Sequence, residues 1–121
     1  FAWFGKDKKW QEDYARHIGN FFRSKGIDTF EDQFNLDGSR PDYILQAGNY
    51  RKLRHSLGIV ATVAATTLVF DENKKMEFIH ALWNAKLEPY SDGYFDPYYD
   101  GLLYLFSLMH VSGKYQVIKP A

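Results

Sequence analysis

The sequence predicts an all-α fold built from helix hairpins, with about four main helices. Three observations carry this. Apolar residues recur at helical spacing, the helical segments alternate between half-polar and wholly apolar, and Ser, Asp, Gly and Pro punctuate their ends. The order is amphipathic helix, loop, apolar helix, amphipathic helix, loop, apolar helix. Consecutive hairpins in a double-layered helical ring give that order, with inner helices dry on both sides and outer helices half wet. A four-helix bundle is the competing topology.

The first amphipathic helix follows Asp7, a candidate cap. Trp10, Tyr14, Ile18 and Phe21-Phe22 form its apolar stripe, with Lys8, Lys9, Glu12, Asp13, Arg16 and Arg23 on the other face. Gly26 ends it. Ahead of it, Phe1 to Phe4 reads as the end of an earlier helix closed by Gly5. This abrupt start without a Met leads us to expect a piece of a longer protein, with residues 1–121 forming one helical segment.

Residues 36–54 read as a long irregular stretch, opened by the turn signal Asp37-Gly38 and by Pro41. Loops of that length are uncommon in compact domains and often functional; the other reading is a floppy insertion. Ser56 then caps a helix expected to reach about Phe70. Its Gly58, Ala61, Ala64 and Ala65 allow close approach of neighbouring helices, which makes it the central one. Asp71 caps the next, residues 72–86, with Met76, Ile79, Leu82 and Trp83 on its apolar face.

Residues 87–96 form a second loop with Pro89 and Gly93. The last helix follows Pro97, is expected to be buried all round, and stops at Ser112-Gly113. Asp96 is placed to cap its first turn. Tyr94, Tyr98 and Tyr99 stand at its mouth, where they either line a pocket or finish a core. In the ring topology both loops, 36–55 and 87–97, fall at the same end.

Composition narrows the function. Lys+Arg and Asp+Glu balance at 15 each, so nothing draws the chain to nucleic acid or to an anionic membrane. No apolar run reaches the roughly 18 residues of a membrane span. There is no Cys, hence no disulfide framework or thiolate chemistry. His17, His55, His80 and His110 lack ligand-like spacing, and we expect neither metal nor cofactor. Aromatic residues make up 18% of the chain, enough for an aromatic-rich core or a sugar-binding surface.

Glycoside hydrolysis needs two carboxyl groups across a sugar ring. Asp37, Asp42, Glu88, Asp92 and Asp96 lie in the loops, and none is singled out as a raised-pKa acid. Asp100 reads as a first-turn acid favoured by the helix dipole. What the chain offers a sugar is Tyr94, Tyr98, Tyr99 and His55: flat faces for stacking and polar tips for hydroxyls.

Several segments, in order, resemble the C-terminal third of glycoside hydrolase family 8, and within it the reducing-end xylose-releasing exo-oligoxylanases. They are Trp3-Phe4-Gly5-Lys6-Asp7, Phe21-Phe22-Arg23-Ser24-Lys25-Gly26-Ile27, Leu36-Asp37-Gly38, His55-Ser56-Leu57-Gly58-Ile59-Val60-Ala61-Thr62, Tyr98-Tyr99-Asp100-Gly101-Leu102-Leu103-Tyr104 and Ser112-Gly113-Lys114-Tyr115. The resemblance implies the C-terminal portion of an (α/α)6 barrel, and an inverting reaction with a Glu acid and an Asp base. Both catalytic residues would precede Phe1, so no residue here receives a catalytic role. It further implies that His55 recognises the reducing-end sugar, and that Tyr98 and Tyr99, with Tyr94 beside them, contact sugar. The expected partners are an oligosaccharide substrate and either the missing N-terminal part of the barrel or a second copy. The alternative is a non-catalytic helical module that binds carbohydrate or protein.

Overall fold

The computed structural model describes residues 7–115 except residue 47. The expected helix end at residues 1–5 and the tail beyond residue 115 lie outside the described residues. The chain is all-α with a small hairpin: α1 Lys8–Ser24, β1 Ile44–Gln46, β2 Asn49–Arg51, α2 Leu57–Thr66 continued by a 3-10 turn Thr67–Val69, α3 Glu72–Asn84 and α4 Tyr99–Val111.

Helix α2 is the centre and touches the other three helices. Its small residues make this possible. Gly58, Ala61 and Ala64 are buried, and Ala61 and Ala64 are fully enclosed. The Ser56 hydroxyl accepts from the Ile59 N–H at 3.4 Å at its start. At its end the Thr67 hydroxyl donates to the Ala64 carbonyl at 2.8 Å, and the helix tightens to 3-10 geometry short of Phe70.

Helix α1 presents Ala15 and Gly19, four residues apart, to the core. Gly19 is needed there, because a Cβ would lie 2.6 Å from Phe70 Cζ. The expected stripe is only partly covered: Trp10 and Tyr14 stack on each other at 5.3 Å and stay exposed. Asp7 occupies the N-cap position, but its side chain makes no capping bond. Gly26, at φ +95°, closes the helix. Arg23 reaches Glu77 of α3 through two 2.8 Å bonds. Behind it Phe22 meets the buried Phe30 edge-on at 4.9 Å.

In α3 Asp71 accepts from the Lys74 N–H at 3.1 Å, as a cap should. The apolar face differs from the expected one. Phe78 and Leu82, one turn apart, are buried, whereas Trp83 is 75% exposed. One residue past Leu82 is about 100° further round the helix, which turns Trp83 to solvent.

Residues 36–54 are not wholly irregular. β1 and β2 pair antiparallel, Ile44 opposite Arg51, with Tyr43 and Tyr50 in edge contact at 4.7 Å. The expectation of a fully buried α4 also fails for this chain. Asp100 and Ser107 are buried, but Leu102, Leu105 and Phe106 are exposed. Among the described residues, nothing covers that face. Asp96 does hold the entry, accepting from the Tyr99 N–H at 2.8 Å. At the exit the Lys114 N–H bonds the Met109 carbonyl and the Gly113 N–H bonds the His110 carbonyl, with Gly113 at φ +70°.

Candidate functional site

The two long loops meet at one end of α2 and α4. Arg54 closes one loop onto the other, with Nη2 2.5 Å and Nε 3.1 Å from Asp92 Oδ2. Its guanidinium lies 4.4 Å from the Tyr94 ring and 5.4 Å from the Tyr90 ring, which stack nearly parallel. Arg54 hydrogen bonds hold Asp92 below the usual carboxylate range. Residues 90–94 form a tight turn: the Tyr90 N–H bonds the Tyr94 carbonyl at 2.8 Å, and Gly93 takes φ +82°. The Tyr94 hydroxyl donates to Asp96 Oδ2 at 3.1 Å, which raises its pKa.

Deeper in, Tyr90 joins three elements. Its hydroxyl accepts from the Leu57 N–H at 2.9 Å and donates to Asp100 Oδ2. Burial first, then the bond to Asp100, pushes that hydroxyl up to about 12. Asp100 is 7% exposed and faces Gly58, where a Cβ would stand 2.7 Å from Oδ1. Arg51 pairs with Asp32 at 2.9 Å on the opposite side. These groups enclose a cavity of about 510 Å³ lined by Tyr94, Tyr99, Asp96, Asp100, Arg51 and Arg54 among others.

The fold brings together Tyr94 and Tyr99 of the expected sugar-contacting set. Tyr98, at the tip of the turn, is exposed and lines neither this cavity nor the next. His55 faces a second cavity of about 810 Å³ with His80 and Glu77. Its Nδ1 lies 2.5 Å from the Phe30 carbonyl, which can only accept, so Nδ1 carries a proton and Nε2 is the nitrogen left for another partner. Tyr90 lines both cavities and is the wall between them. Sequence reasoning missed Tyr90, Arg54 and Asp100 as site residues. For Asp100 a signal existed, a carboxylate entering an otherwise apolar helix. Tyr90 gave none, since its backbone partner lies 33 residues earlier.

A third cavity, about 770 Å³, is an apolar groove between α1 and α4 lined by Trp10, Tyr14, Leu68, Leu103 and Phe106. Among the described residues no helix is long and apolar enough to cross a membrane. Among them, too, no group of three His, Cys, Asp or Glu residues is placed to hold a metal.

No known family model matches the chain, and no solved structure matches it. Over 117 residues, 97% of its length, the chain is 29% identical to the reducing-end xylose-releasing exo-oligoxylanase Rex8A of Paenibacillus barcinonensis. It spans 27% of that protein's length. The match marks a distant relation to a glycoside hydrolase.

Proposed function

We propose that this chain is the C-terminal part of a family 8-like, inverting glycoside hydrolase acting on β-1,4-linked oligosaccharides, which releases xylose from the reducing end of xylo-oligosaccharides. The observation that carries the reading is the relation to an exo-oligoxylanase along 97% of the chain. The tyrosine-walled cavity at the mouth of α4 supports it chemically, since aromatic faces beside fixed carboxylates and guanidinium groups suit a polyhydroxylated ring.

In this reading the chain holds sugar and the preceding part of the barrel does the chemistry. A Glu there protonates the leaving oxygen while an Asp activates water, from roughly 6.5–9.5 Å apart. The carboxylates of the cavity already have protein partners, Asp100 through Oδ2 alone. Asp96 accepts from the Tyr99 N–H and the Tyr94 hydroxyl, and Asp100 accepts from Tyr90. Tyr94 and Tyr99 offer faces to the sugar, Tyr98 extends the platform at its rim, and His55 meets the reducing-end residue through Nε2. The apolar groove and the open face of α4 are covered by the missing N-terminal helices, or by a second copy when this chain is alone.

The test is hydrolysis of xylotriose by the full-length protein, with the newly formed reducing end followed by proton NMR. The expected first product carries the α anomer. A β anomer overturns the inverting assignment. Tight binding without cleavage favours the non-catalytic module instead, a reading that the protein partners of Asp96 and Asp100 make worth testing.

A further inference from the structure

The geometry points to Asp100 Oδ1 as the acceptor for one hydroxyl of a neutral sugar held in the Tyr94–Tyr99 cavity, with Tyr90 as the residue that positions it. The inference rests on the proposed function for the identity of the ligand, and it assigns a contact at that site.

Asp100 is buried, yet only one of its oxygens is satisfied. Oδ2 takes the Tyr90 hydroxyl, and Tyr90 is anchored in turn by the Leu57 N–H. That two-point link fixes the plane of the carboxylate. Among the described residues no donor bonds Oδ1. Oδ1 is also not sealed in protein, so the atom opens to the cavity that Asp100 lines. Gly58 keeps that opening clear, because any Cβ there would press on Oδ1 from 2.7 Å.

A carboxylate oxygen with no protein donor needs one from whatever displaces the water beside it. A sugar hydroxyl supplies a donor of the right size. A metal cation is a poorer match, because among the described residues no group of three His, Cys, Asp or Glu side chains is placed to hold one. An anion is a poorer match as well, since both arginines are already paired, with Asp32 and Asp92. A neutral polyol, stacked on the tyrosines and donating to Oδ1, satisfies all of these groups together.

The experiment uses the full-length protein and a series of monodeoxy xylotriose analogues, with Kd and KM measured for wild type, Asp100→Asn and Tyr90→Phe. In wild type one analogue binds about tenfold more weakly than xylotriose, the loss of a charge-assisted hydrogen bond. Asp100→Asn binds xylotriose about tenfold more weakly and no longer distinguishes that analogue. Tyr90→Phe keeps the carboxylate, loses its orientation and discriminates less. Wild type that cleaves xylotriose but tolerates every deoxy analogue overturns the contact and leaves the proposed function standing, whether or not the variants fold. Discrimination retained in Asp100→Asn overturns the contact too. Wild type that neither binds nor cleaves xylotriose overturns both.

Discussion

The Tyr90 hydroxyl sits between the Leu57 N–H and Asp100 Oδ2, so a single loop oxygen ties the first turn of α2 to the first turn of α4. The 87–97 loop is therefore fastened to both central helices from beneath. From above, the other loop is fastened to it by Arg54 and Asp92.

Tyr90→Phe keeps the ring and removes the oxygen. It leaves one half-buried N–H and one buried carboxylate oxygen without partners. We expect a loss of about 1–3 kcal/mol in urea unfolding. A change below about 0.5 kcal/mol would mean that water replaces the hydroxyl at no cost.

The same hydroxyl sets a pH limit. Its folded pKa, about 12, lies above the ordinary tyrosine value near 10. The neutral form is thus favoured by folding. Its contribution is fully present below pH ~10 and is lost as pH rises through about 12. Tyrosinate absorbance of wild type minus Tyr90→Phe should show one tyrosine titrating late. A difference curve centred near 10 would count against the buried pairing.

Asp92 behaves in the opposite sense. Arg54 lowers its pKa, so the pairing is present above the ordinary carboxylate range and is released as pH falls through the lowered value. In Arg54→Gln the Asp92 carboxyl should titrate at a higher pH in carbon-detected NMR. An unmoved titration would show that the Tyr94 N–H, not Arg54, sets it.

Phe78→Ala should cost about 3–5 kcal/mol, the range for an enclosed aromatic. Trp83→Ala, five residues further on and exposed, should cost under about 1 kcal/mol. Reversal of that order would mean that α3 sits rotated from the position described.

These two residues also mark how far the sequence could be read. Ser56, Asp71 and Asp96 were legible as caps because capping is local, a side chain and an N–H three residues on. The inward face of α3 was not, because Met76, Ile79, Leu82 and Trp83 make as good a stripe as Phe78 with Leu82. Only the position of α2 chooses between them. The β1–β2 hairpin is too short for alternation to register. Apolar residues all round α4 reveal what the helix can bury, not whether the covering partner belongs to the same stretch of chain. That Tyr94 and Tyr99 line a cavity was legible from their place at a helix mouth. Tyr90, Arg54 and Asp100 draw their roles from contacts up to 42 residues apart, Gly58 with Asp100, which no local pattern records.

The bare backbone at Gly58 has a consequence for how such a site could diversify. A glycine codon is a single base from several larger residues. One mutation there would put a methyl group 2.7 Å from Asp100 Oδ1 and 3.0 Å from Leu103 Cδ1, closer than either contact allows without a shift. A single genetic step at this glycine would reshape the cavity from its floor, without touching a tyrosine on its walls.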